Sequence, residues 1–79
     1  MTTEERKIWY RLEDAVIASG MTKTEIALEG GFHRQSITFT GKNHLPSCRV
    51  LLAFCKVTGA SADWILGLEE YRYDEAHNG

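Results

Sequence analysis

Residues 23–40 read KTEIALEGGFHRQSITFT, and the fold turns on them. Two short amphipathic segments, KTEIALEG and HRQSITFT, flank a Gly-Gly-Phe corner. A tight corner between two helices needs a residue that accepts positive φ, which glycine does without steric penalty. Ile26 and Ala27 lie one helical turn before Gly30 and Gly31, and Ile37 lies six residues after Gly31. Ala27 is small enough for the second segment to cross close over the first, and Phe32 and Ile37 can then point back at Ile26. That geometry turns the outer face of the second segment away from the protein. The face carries Arg34, Gln35, Thr38 and Phe39.

Arginine and glutamine pair bidentately with guanine and adenine edges in a major groove. The pattern therefore predicts a helix-turn-helix, with Arg34–Thr40 as the core of its recognition helix and double-stranded DNA as its partner. The competing reading of Lys23, Arg34, Lys42 and Arg49 is a solvated basic face. A net charge of −2 looks adverse to DNA, but the distribution matters more than the sum. Residues 1–20 carry −1, residues 21–56 carry +3, and residues 57–79 carry −4. The positive excess lies on and just after the corner, and the acidity lies in the tail.

Working outward, Glu4 to Ser19 reads as a first helix, with Ile8, Leu12, Ala15 and Val16 as its apolar stripe. Thr2 or Thr3 caps its start, and at least one of Trp9 and Tyr10 packs on the stripe. Thr22 and Glu25 have the spacing of a capping box and open the second helix, which ends at Gly30-Gly31. The third helix is predicted from His33 to Thr40 or Gly41. Gly41-Lys42-Asn43-His44 is a polar turn. A fourth helix starts near Pro46 or Ser47, buries Val50, Leu51, Phe54 and Val57, and stops at Gly59. Ser61 caps a short fifth helix, ADWILG. The expectation is an all-α, five-helix domain over residues 1–68, with a frayed helix end and mobile acidic tail over 69–79.

A 79-residue chain is one small domain, burying roughly 60–65% of its unfolded surface. Its longest uncharged apolar run, VLLAFC, is far too short to cross a bilayer, so no membrane partner is expected. No apolar signal segment opens the chain, and a cytoplasmic location is expected. Cys48 and Cys55 stand seven apart on one helix, roughly 10 Å along its axis, which is beyond disulfide reach. His33, His44 and His77 join no metal-ligand spacing. Glu25 and Glu29 lack a nucleophile, metal cluster or phosphate loop beside them. Neither a catalytic residue, a cofactor, a metal nor a small-molecule ligand is expected.

MTKTEIALEGGFHRQSITFTGKNHLPS followed by LLAFCKVTGASADWILG resembles the Cro/CI-type helix-turn-helix repressors, the XRE family. The likeness covers residues 21–68, and its specificity comes from the joint order and spacing of several motifs that are weak one by one. It implies a five-helix, lambda-repressor-like DNA-binding domain and a sequence-specific transcriptional regulator, a repressor type acting as a homodimer on an inverted repeat. A helix-turn-helix used only as a protein-interaction module is the other class of function. The resemblance places Arg34 and Gln35 against bases, with Thr38 and Phe39 one turn later. It assigns phosphate contacts to Lys23 and the Lys42–Asn43–His44 loop, and Thr22, His33 and Ser36 complete that set. Gly30 stands where the family has an apolar helix residue, so a loose end of the second helix is expected. Thr40 stands where a large apolar residue is usual, before a loop about a residue shorter, so Phe39 either turns inward to fill the gap left by Thr40 or faces a thymine methyl. The region after Gly59 is the expected dimer contact, through Trp64, Ile65, Leu68 and Tyr71, because aromatic residues are enriched in interface cores.

Overall fold

Each helix begins where a hydroxyl can accept an otherwise unpaired backbone N–H and ends on a glycine. A computed structural model describes residues 1–41 and 44–68 of the chain. Its elements are α1 (Thr3–Ser19), α2 (Lys23–Gly30), a 3₁₀ turn (Arg34–Ile37), α3 (Cys48–Thr58) and α4 (Ala62–Leu66). The architecture is all-α, with no strand among the described residues.

Two capping boxes close the starts of α1 and α2. The Thr2 hydroxyl accepts from the Glu5 N–H, and the Glu5 carboxylate accepts from the Thr2 N–H at 2.8 Å. The Thr2 backbone N–H foremost, and the Thr2 hydroxyl after it, favour the charged carboxylate and hold the Glu5 carboxyl below its ordinary pKa. Thr22 and Glu25 repeat the arrangement on α2. Ser47 and Ser61 cap α3 and α4 by accepting from Val50 N–H and Trp64 N–H. At the corner, Gly31 holds φ 73° and ψ 36°, the left-handed conformation that the turn requires. Gly30 has a different duty. A Cβ there would lie 2.4 Å from the Phe32 ring, so the missing side chain is what lets Phe32 fold back over the end of α2.

The expected third α-helix is not formed. Arg34–Ile37 makes one 3₁₀ turn, and the chain is already extended at Thr38 (φ −108°, ψ 121°). The five expected helices are thus four α-helices and this turn. The local chemistry accounts for the difference. Ile37, Thr38 and Thr40 are β-branched and disfavour helix, and Gly41 follows at once. The Thr38 hydroxyl also donates to the Arg34 carbonyl at 2.9 Å, the acceptor that a continuing α-helix would give to the Thr38 N–H. That N–H bonds the Gln35 carbonyl instead.

The core joins Trp9, Leu12 and Val16 of α1, Ile26 of α2, Ile37 of the turn, Phe54 of α3 and Ile65 of α4. Ile26, Phe54 and Ile65 are fully buried. Trp9 is the α1 aromatic that packs inward, while Tyr10 stays exposed. Arg11 ties the last helix down: its guanidinium donates to the Ile65 carbonyl at 3.2 Å, where a cation also suits the helix C-terminus. No described helix is long and apolar enough to cross a membrane.

Candidate nucleic-acid interface

The 3₁₀ turn projects from the glycine corner because Ile37 anchors it in the core, 1% exposed, while its first residues point outward. His33, Arg34 and Gln35 are exposed. The His33 side chain makes no cap bond to the turn. The Arg34 side chain forms no ion pair among the described residues. No hydrogen bond or ion pair ties the His33, Arg34 or Gln35 side chain to another of the described residues.

Ser36 and Gln35 share an open cleft of about 280 Å³ with His44, Leu45, Pro46 and Ser47. The cleft joins the turn to the lead into α3, and it brings one residue expected to read bases beside two expected to hold phosphate. Lys42 and Asn43, expected in the same phosphate set, lie outside the described residues.

The start of α2 is arranged differently. Thr22 uses its hydroxyl and its N–H in the capping box with Glu25, at 3.1 and 2.9 Å. Lys23 reaches across to α1 and pairs with Glu13 at 2.9 Å. Its side chain is 25% exposed and that of Glu13 is 50% exposed, so the pair is screened by water and weak. Glu13 was missed in the sequence. It lies ten residues upstream across a turn, and only the crossing of the two helices brings it to Lys23.

Phe39 packs one side of its ring on α1 and stays exposed. Its ring centroid lies 5.7 Å from that of Trp9, tilted by 38°, and the side chain stays 43% exposed. It lies against Trp9 of α1, beyond the end of the turn. Thr38 likewise belongs to an extended segment, with its hydroxyl turned back to Arg34. Of the four residues expected to read bases, Arg34 and Gln35 are the exposed residues of the turn itself, and Thr38 and Phe39 lie beyond its end.

Of the residues expected to form a dimer contact, Ile65 is fully buried and belongs to the core of its own protomer. Trp64 and Leu68 are 36% and 43% exposed, and Tyr71 lies outside the described residues. Cys48 and Cys55 are free thiols, and burial pushes the Cys55 thiol above its ordinary pKa. Among the described residues no three His, Cys, Asp or Glu side chains gather into a metal-holding group. No protein-family model matches the chain, and neither a curated protein nor a solved structure matches it.

Proposed function

We propose that the chain is a sequence-specific DNA-binding transcriptional regulator of the Cro/CI-type plan, working in the cytoplasm as a homodimer on an inverted repeat. The observation that carries the reading is the corner itself. A capped helix, a left-handed glycine and a core-anchored turn present Arg34 and Gln35 outward. Arg34 and Gln35 read base edges, and His33, Ser36 and His44 beside them lie within reach of phosphates. The 3₁₀ turn stands in the place of a recognition helix, so the base contact is confined to a few positions in each half-site. The resemblance over residues 21–68 and the positive excess over residues 21–56 support the same reading. Repression is the mode this compact plan suits, since binding alone can exclude other proteins from the site. No catalytic step is assigned.

Selection of bound sites from a random DNA pool tests this. An inverted repeat with half-sites about 34 Å apart is expected. A pool that stays random would end the reading.

The short turn and the engaged Lys23 favour a second reading, in which the same corner docks a protein and has no useful DNA affinity. A salt titration on mixed DNA separates the two. A DNA binder loses affinity steeply as salt rises, and an adaptor has none to lose.

A further inference from the structure

The outer face of α1 is unused by the core, and of its side chains Glu13 alone forms an ion pair among the described residues, with Lys23. At 100° per residue, Thr3, Arg6, Lys7, Tyr10, Glu13, Asp14 and Ile17 fall within an arc of about 120° centred on Tyr10. Every one of them is exposed. Tyr10 and Ile17 are two of the most exposed large apolar side chains in the described chain, at 62% and 73%. The core stripe, through Leu12, Ala15 and Val16, runs along the opposite side of the helix.

Charge along this face is ordered. Arg6 and Lys7 lie on the N-terminal side of Tyr10, and Glu13 and Asp14 lie on its C-terminal side. The order is symmetric about Tyr10, because Arg6 and Asp14 are each four residues away and Lys7 and Glu13 are each three away. A second copy laid antiparallel, with the two Tyr10 rings at the axis, keeps each residue on its own flank of the seam, so Lys7 of each copy faces Asp14 of the other and Arg6 faces Glu13. It also puts Ile17 level with the Thr3 methyl. A parallel copy would set like charges against each other. Glu13 already holds Lys23 within the protomer, whereas neither Lys7 nor Asp14 has an ion pair among the described residues. The face is therefore complementary to itself in one orientation only.

We propose that two copies of the chain associate through the outer faces of α1, antiparallel, about a two-fold axis at Tyr10. The proposal deepens the homodimer reading above by naming its surface, and it moves the self-contact from the α4 region to α1. A single helix face buries less than a standard interface, so the dimer is weak off DNA and is strengthened when an operator holds both copies close.

Sedimentation without DNA, at concentrations up to about 1 mM, tests the contact separately from DNA binding. A symmetric interface presents each substitution twice. Lys7→Asp or Asp14→Lys alone should raise the dissociation constant about tenfold or more, because both cross-axis pairs become repulsive. An equimolar mixture of the two variants should form a heterodimer with near wild-type affinity, since acidic and basic faces then meet. Tyr10→Ala should weaken association without loss of helix content by circular dichroism. A wild-type chain that stays monomeric, single variants that associate normally, or a mixture that fails to recover would each overturn the proposal. An inverted repeat recovered by site selection would still stand in those cases, with the copies meeting elsewhere.

Discussion

The start of α2 and the start of the 3₁₀ turn flank the same glycine corner, and they are built in opposite ways. At α2, Thr22 and Glu25 satisfy each other, and Lys23 is held by Glu13. At the turn, His33 provides no side-chain cap and Arg34 has no ion pair among the described residues. A polar group bound within its own chain must give up that bond before it serves a partner, whereas a hydrated one gives up only water. The closed start therefore contributes mainly to stability, and the open one mainly to recognition. The corner separates the two tasks within a dozen residues.

The largest effect should come from loosening the open start's anchor. Ile37 is 1% exposed and is the turn's one buried side chain. Ile37→Ala should cost about 2–5 kcal/mol of unfolding free energy in urea. A loss under about 1 kcal/mol would mean that the turn is not anchored by the core. Next comes Arg34→Ala, which should weaken binding at the preferred site by about 1–3 kcal/mol and flatten preference at one base position. The urea midpoint should stay put, because the side chain is exposed and has no ion pair among the described residues. Equal losses on preferred and random DNA would remove Arg34 from base reading. On the closed side, Thr22→Ala should cost about 1 kcal/mol of stability through the lost cap, with little change in DNA affinity while the chain stays folded. A large affinity loss with an unchanged midpoint would make the closed start a recognition element after all.

Features set by near neighbours were legible in the sequence. The T-x-x-E spacing announced the box at α2, and the glycine corner and the stripes of α1 and α3 followed from periodicity. What failed depended on distance or on competition. The third helix was read from its apolar spacing, but β-branched residues and the Thr38 hydroxyl bond defeat it locally. Phe39 could be placed only once Trp9 was known to lie beside it, thirty residues earlier in the chain. Ile65, expected at an interface, is the one buried position of α4, because even a short helix turns a side chain into the core. The Lys23–Glu13 pair required the crossing of α1 and α2, which no local pattern encodes.

That pair offers the finest test of the contrast. Both partners are substantially hydrated, so breaking it should change folding stability by less than about 1 kcal/mol. Its effect on DNA can be larger, because Lys23 serves a phosphate only by leaving Glu13. Glu13→Gln frees the ammonium and removes an anion near the phosphates, and should raise affinity severalfold on every sequence at low salt. Lys23→Ala should lower affinity on every sequence and reduce the salt slope by about one unit. The two changes should not add. In a Lys23→Ala background, Glu13→Gln should recover little, since the charge that it releases is no longer there. Binding isotherms of the four proteins across a salt series decide the matter. If Glu13→Gln raises affinity equally with and without Lys23, the carboxylate acts only as a distant repulsive charge. If the slope is unchanged in Lys23→Ala, Lys23 touches no phosphate, the α2 start serves folding alone, and phosphate contact falls to the side chains beside the open turn.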